Sequence, residues 1–142
     1  MAASGAQTGN WFSPSYSGSD RSNTNTVGGI PNRICDGNLP SGQRTVSHWF
    51  DTSCFVKPAP NYFGDSGTNI ITGPGINNWD LGLGKVFPIR EAMNVQFRTE
   101  LFNAFNHTQF LNPDSTMTDA NFGRITTARP ARELQFGLKL LF

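Results

Sequence analysis

The sequence predicts an all-β protein whose antiparallel, amphipathic strands are concentrated in its second half. Three segments support this fold class. Residues 132–142 alternate between apolar and polar side chains, with Leu141 as the one exception. Residues 79–87 and 93–105 alternate in the same way, and turn-forming residues 88–92 separate them. A period of two places successive side chains on opposite faces of an extended strand.

The first half of the chain, residues 1–75, has the composition of a loop-rich segment. It holds 11 of the 15 glycines and 6 of the 9 prolines, which favour turns over regular strands. Isolated aromatic residues indicate that this half packs against other parts of the protein. We therefore predict two parts, a loop-rich segment at 1–75 and a strand segment at 76–142.

The first predicted strand, residues 79–87, has one irregular position. Its apolar positions are Trp79, Leu81, Leu83 and Phe87, and its other face carries Asp80, Gly82, Gly84 and Val86. Lys85 falls on the apolar face. A lysine there requires that its charged end can reach water or a polar surface.

The second segment, residues 93–105, is compatible with a strand or a helix. Phe97, Leu101, Ala104 and Phe105 have the spacing of one helix face. Residues 95–99 favour the strand, because they alternate regularly and are rich in β-forming residues. Residues 107–131 are polar and irregular, and we expect only a short extended piece at 122–127.

The two cysteines, Cys35 and Cys54, both lie in the loop-rich half, and we predict that they form a disulfide. Such a pair suits an oxidising compartment, and closing a loop of this size contributes about 3 kcal/mol. Two unrelated buried thiols are the alternative. His48 and Asp51 lie between them, but the spacing fits no common zinc pattern, so we predict no metal site.

Composition and motifs exclude several function classes. A net charge of +1 with 15% charged residues gives no basic surface for nucleic acid. No apolar run approaches the ~18 residues of a transmembrane helix. Residues 64–67, Gly-Asp-Ser-Gly, are similar to a serine-protease nucleophile loop, but His48 lacks the matching surroundings. We predict no catalytic residues, no cofactor and no enzymatic activity.

The last strand resembles the C-terminal signature of bacterial outer-membrane β-barrels. The residues that carry the resemblance are Gln135, Gly137, Leu140 and Phe142. In those proteins the barrel assembly machinery binds this strand, and each spanning strand needs about 9–11 residues. An ordinary amphipathic edge strand is the alternative.

A longer series of motifs, over about residues 30–142, resembles the C-terminal end of TonB-dependent receptors. The nearest branch is the Oar-like kind with a carboxypeptidase-regulatory-like domain, common in acidobacteria. The motifs are Trp49–Phe55, Pro58–Pro60, Gly73–Leu81, Phe97–His107, Asn121–Ile125 and Arg132–Gly137.

The resemblance implies an outer-membrane receptor with a 22-stranded, plugged barrel that takes up a ligand using energy from the inner membrane. Its partners would be membrane lipid, the remaining strands and plug, and the barrel assembly machinery. The chain has no plug and too few strands, and residues 1–10 do not form a signal peptide. We therefore expect a fragment of such a receptor.

The resemblance also implies a topology. Residues 79–87 would run towards the periplasm and 93–105 back, with residues 1–75 and 106–131 outside the cell. Lys85 would lie near the periplasmic rim, and Arg98 and Glu100 would face the lumen, paired with a plug or across strands.

A second hypothesis is a self-assembling extracellular structural protein. The few predicted strands leave sheet edges unpaired, and an unpaired edge can bind a strand of another chain. The protein would then form a homo-oligomer or filament, outside the cell rather than in the outer membrane.

Overall fold

The computed structural model describes residues 2–7 and 9–142, with side chains described from residue 9 onward. These described residues form eight strands and two short 3₁₀ helices. The strands are β1 (Ala2–Gln7), β2 (Trp11–Phe12), β3 (Asn32–Arg33), β4 (Phe55–Val56), β5 (Ile71–Thr72), β6 (Ile76–Arg90), β7 (Met93–Phe102) and β8 (Glu133–Leu141). The 3₁₀ helices are Ser41–Gln43 and Thr52–Cys54. Within these described ranges, no helix has the length and apolar character needed to cross a membrane.

The chain divides into two compact units. The sheet unit contains residues 2–7, 76–109 and 129–142. The loop unit contains residues 9–75 and 110–128. The sequence placed the boundary after residue 75. The structure instead groups residues 110–128 with the first half of the chain and residues 2–7 with the strands.

The sheet unit is a four-stranded antiparallel sheet in the order β1-β6-β7-β8. The all-β, antiparallel fold class is therefore confirmed. Residues 93–102 form β7, a strand, so the helical alternative for this segment is wrong. The antiparallel order places Gln7, Ile76 and Phe102 at one end of the sheet, and the Glu91–Ala92 turn at the other.

Two strand ends and one expected extended piece differ from the sequence expectation. β6 continues to Arg90, and only Glu91 and Ala92 form the turn, because an irregular register between Pro88 and Arg90 accommodates the proline. β7 stops at Phe102, since Asn103 takes a positive φ of 50° and turns the chain. Residues 122–127 form no strand, and Asn121 to Gly123 form a turn instead.

β1 was not expected from the sequence. Its residues, Ala-Ala-Ser-Gly-Ala-Gln, are small or polar and show no apolar alternation. The strand is defined by its pairing with β6, from Ala2 opposite Leu81 to Gln7 opposite Ile76. Hydrogen bonding to a long neighbouring strand therefore creates a strand where local propensity is weak.

The loop unit has its own core, centred on the fully buried Phe50. The rings of Phe12, Phe55 and Phe122 meet Phe50 edge to face, with centroids 5.7, 5.8 and 5.2 Å away. Ile71 is also fully buried in this cluster. Because Phe122 belongs to residues 110–128 and the others to residues 9–75, the two connections fold as one body.

Candidate functional site: the two faces of the sheet

One face of the sheet formed by β6, β7 and β8 is apolar. The register aligns four cross-strand rows, Leu81 with Leu101 and Leu134, Leu83 with Thr99 and Phe136, Lys85 with Phe97 and Leu138, and Phe87 with Val95 and Leu140. The most exposed side chains are Leu83, Phe136 and Leu138, at 69%, 68% and 76% of their full accessibility. A contiguous open apolar face of this kind suits contact with lipid or with another protein.

Aromatic rings mark both ends of this face. Trp79 and Phe105 pack edge to face at one end, with ring centroids 6.1 Å apart. Phe87 lies at the other end, near the Glu91–Ala92 turn. The eight residue steps from Trp79 to Phe87 span about 26 Å along the strand. At the usual barrel tilt this is roughly 20 Å of depth, close to the ~25 Å band between the aromatic girdles of outer-membrane barrels.

Lys85 is the one charged side chain within the four apolar rows, and Arg90 lies beyond them, opposite Met93 beside the tight turn. The Nζ atom of Lys85 lies 5.0 Å from the centroid of the Phe87 ring. A lysine on the lipid side of a barrel costs about 2–4 kcal/mol at the midplane but only about 0–1 kcal/mol near an interface. Lys85 is therefore compatible with lipid contact only if its ammonium lies near the membrane surface.

The opposite face of the sheet is polar and contains the Arg98–Glu100 ion pair. Arg98 Nη2 and Glu100 Oε1 are 2.6 Å apart. The pair lies along β7, so of the two expected arrangements, with a plug or across strands, the cross-strand pair is wrong. Gly84 and Gly137 flank Arg98 on the two neighbouring strands, and Gly82 faces Glu100 on β6. These glycines leave open space around the two charged side chains.

Gln109 forms hydrogen bonds with an exposed stretch of β6 that extends beyond the end of β7. Its Oε1 accepts a hydrogen bond from the Asn77 amide nitrogen at 2.9 Å, and its Nε2 donates to the Asn77 carbonyl oxygen. Gln109 is buried, at 4% exposure. A side-chain amide thus takes the place of a paired strand, since it satisfies both backbone groups of one residue.

Asp80 and Asn103 fix the turn at the same end of the sheet. Asp80 Oδ1 accepts hydrogen bonds from the Asn103 amide nitrogen at 2.9 Å and from Asn78 Nδ2 at 3.0 Å. The Asn103 side chain bonds both the amide nitrogen and the carbonyl oxygen of His107. Sequence reasoning missed Gln109 and Asn103, because polar residues in a loop carry no periodic signal.

Cys35 and Cys54 form a disulfide in the loop unit. Cys54 is buried beside Phe50 and Phe55. Asp51 lies close to the two sulfurs, within 4.8 Å, but the disulfide uses the ligand atoms of both cysteines. Instead, Asp51 Oδ1 accepts hydrogen bonds from the Ser53 hydroxyl and amide groups. These two bonds lower the pKa of the Asp51 carboxyl.

The Gly-Asp-Ser-Gly segment, residues 64–67, has irregular backbone and a structural role. Asp65 Oδ1 accepts a hydrogen bond from the Arg33 amide nitrogen at 2.9 Å. Ser66 is buried, and its hydroxyl donates to the Gly67 carbonyl oxygen at 3.4 Å. An added Cβ at Gly64 would collide with the carbonyl oxygens of Ile30 and Pro31, so close backbone packing explains this glycine.

The four residues of the C-terminal signature divide between the two faces of β8. Leu140 belongs to the apolar face, opposite Val95, whereas Gln135 and Gly137 belong to the polar face. Phe142 follows β8 and is 94% exposed. In the part of the chain that the structure describes, β8 and β1 form the two outer edges of the sheet.

Comparison with known proteins gives one family. The sequence matches the family described as "Outer membrane beta barrel domain" over residues 2–135. The matched range includes all of β1, β6 and β7 and the beginning of β8. No curated protein and no solved structure matches the chain.

Proposed function

The chain belongs to the outer membrane β-barrel domain family, and on that basis we propose that it forms the C-terminal wall section of a TonB-dependent receptor. The observation that carries the proposal is the register of β6, β7 and β8. It keeps an apolar face and a polar face separate over four consecutive rows. Membrane barrels require this division, because one face meets lipid and the other meets the lumen.

The remaining strands of the parent receptor would pair with the outer edges of β1 and β8. Known bacterial barrels have at least about eight strands, and the sheet unit has four. The polar face would then line the lumen, where Arg98 and Glu100 can contact a plug. β8, with Gln135, Gly137, Leu140 and Phe142, would be the strand that the barrel assembly machinery binds.

The TonB-dependent assignment is supported by the series of motifs over about residues 30–142. In this role the loop unit would lie outside the cell, where an oxidising environment is compatible with the Cys35–Cys54 disulfide. The protein would take up a ligand with energy from the inner membrane. We assign it no enzymatic activity and no cofactor.

An antibody against the loop unit tests this function in cells. We expect it to detect a heat-modifiable outer-membrane species much larger than a 142-residue chain. The immobilised periplasmic domain of TonB should retain that species. A large barrel species that TonB does not retain would reject the TonB-dependent role and leave the barrel assignment intact.

Self-assembly is the second candidate, and the directions of the sheet edges favour it. β1 and β8 run antiparallel to each other, so β8 of one copy could pair with β1 of the next. Repetition of this head-to-tail contact gives a ring or a filament. A free 142-residue chain in extracellular filaments would favour this candidate and overturn the receptor.

Spin labels at positions 95 to 101 separate the two arrangements. Odd positions lie on the apolar face of β7 and even positions on the polar face. In a receptor wall, odd positions should be accessible to lipid-soluble oxygen. In a layered self-assembly, the same positions should be shielded from both oxygen and water-soluble reagents.

A further inference from the structure

Lys85 occupies the apolar face at a position surrounded by hydrophobic side chains. Leu83 and Phe87 are its neighbours on the same face of β6. Phe97 is its direct partner on β7, and Leu138 continues the row on β8. The ammonium group therefore cannot pair with a residue of its own row.

The carboxylates of the strands lie away from the Lys85 row, and Glu91 lies in the tight turn that follows β6. Glu100 lies on the polar face and pairs with Arg98, and Glu133 lies opposite Phe102 on that same face. Asp80 lies towards the other end of β6, where it accepts hydrogen bonds from Asn78 and Asn103. Among the residues with described side chains, the ion pairs are Arg98–Glu100 and Arg33–Asp36, and neither includes Lys85. The four apolar rows thus contain a positive charge that their own side chains do not neutralise.

The Lys85 side chain extends towards the end of the sheet that carries the tight turn. Phe87 is two residues closer to that turn, and Lys85 Nζ lies 5.0 Å from the centroid of its ring. Lysine side chains in membrane proteins commonly bury the aliphatic stem and bring the ammonium to the interface. Short turns of outer-membrane barrels face the periplasm, so the ammonium would reach the periplasmic surface of the bilayer.

We propose that Lys85 and Phe87 form a binding site for the phosphate of an anionic phospholipid in the periplasmic leaflet. The ammonium offers three hydrogen-bond donors and a full positive charge to the phosphate oxygens. The acyl chains would lie along Leu83, Phe97 and Leu138, which are apolar and adjacent. This site rests on the proposed membrane-facing role of the sheet.

Vesicle binding by the full 142-residue chain, with its disulfide intact, tests the site. Binding is measured with phosphatidylcholine vesicles and with vesicles that also contain phosphatidylglycerol. Lys85→Gln should reduce the preference for the anionic vesicles about fivefold, the effect of one basic residue at a membrane surface. Lys85→Arg should retain the preference.

Lys139→Gln is the matched control. It removes the same charge at a similar position along the sheet, because Lys139 lies opposite Gln96. Lys139, however, lies on the polar face. It should leave the preference nearly unchanged. Far-UV circular dichroism of each variant checks that the strands are retained, and a Lys85→Gln chain that has lost them is replaced in the comparison by Lys85→Met.

Equal effects of the Lys85 and Lys139 substitutions, or no effect of either, would overturn the phosphate site while leaving the membrane role in place. Loss of the preference in Lys85→Arg would also overturn it. Failure of the unmodified chain to bind vesicles of both compositions would instead reject the membrane-facing role, and the lipid site with it.

Discussion

The side chain of Gln109 forms hydrogen bonds with both backbone polar groups of Asn77. Its Oε1 accepts from the Asn77 amide at 2.9 Å, and its Nε2 donates to the Asn77 carbonyl. On its other side, Asn77 pairs with Ala6 of β1. Gln109 therefore completes the hydrogen bonding of β6 at the point where β7 has already turned away.

Replacing Gln109 with alanine should destabilise this end of the sheet. The change leaves the Asn77 amide and carbonyl without their side-chain partners, and because Asn77 is exposed, each lost hydrogen bond costs about 0.5–1.5 kcal/mol. Hydrogen exchange of the Asn77 amide should accelerate. Thr108→Ala, an exposed neighbour, is the control. Equal exchange rates in the two variants would show that Gln109 does not protect Asn77.

Phe50→Ala should destabilise the loop unit by about 3–5 kcal/mol, because it removes a fully buried ring that contacts three others. Urea unfolding followed by near-ultraviolet circular dichroism measures the change. Phe63→Ala removes a ring that is 72% exposed and should change stability by less than about 0.5 kcal/mol. Similar losses in both variants would contradict a core centred on Phe50.

Replacing Cys35 and Cys54 together with serine should lower the free energy of unfolding of the loop unit by about 3 kcal/mol. The disulfide closes a loop with a sequence separation of 19, and its loss increases the freedom of the unfolded chain. In the unmodified protein, thiol labelling after denaturation without reductant should detect no free cysteine. Two reactive thiols would contradict the pairing.

Asp51 makes the stability of the loop unit depend on acid pH. Hydrogen bonds from the Ser53 hydroxyl and amide lower the pKa of the folded carboxyl below its ordinary value of 3.8. The stabilisation is fully present above the unfolded pKa and is lost as pH falls through the folded pKa. Unfolding measured from pH 6 to pH 2 should show a smaller acid loss in Asp51→Asn. Identical pH profiles of the unmodified protein and Asp51→Asn would show that Asp51 does not contribute to the loss of stability in acid.

If the chain is the end of a receptor, Phe142→Asp should sharply reduce the amount of that receptor in the outer membrane. The substitution replaces the apolar end of the signature strand with a charge, at the position that the assembly machinery would bind. Leu141→Asp adds the same charge one residue earlier, on the polar face of β8 opposite Asn94, and should have a smaller effect. Quantitative blotting of the heat-modifiable barrel compares the two variants. Equal amounts of the two variants in the outer membrane would show that the resemblance of the last strand is accidental.

The strands of the sheet could be predicted from the sequence to different degrees. β6, β7 and β8 carry apolar side chains at most alternate positions, with Lys85 and Thr99 as exceptions, so both their existence and their two faces follow from local pattern. Lys85 was also correctly placed on the apolar face. β1 could not be predicted in this way, because Ala2 to Gln7 offers no such pattern and depends on its pairing with β6.

The ends of the strands were harder to predict than their centres. A proline at position 88 suggested an early turn, but an irregular register lets β6 continue to Arg90. Phe105 fits the alternation of β7, yet Asn103 turns the chain before it, and Phe105 then packs on Trp79. At these positions the contacts across strands outweigh the local preference of a few residues.

The sequence by itself determined the all-β class, the amphipathic strands and the resemblance to outer-membrane proteins, because side-chain alternation acts over neighbouring residues. Only the tertiary structure decided that Phe122 joins the Phe50 core and that Gln109 completes the pairing of Asn77. These contacts join segments 32 or more residues apart. They form only when the tertiary fold brings distant segments together, and a local sequence pattern does not specify which segments meet.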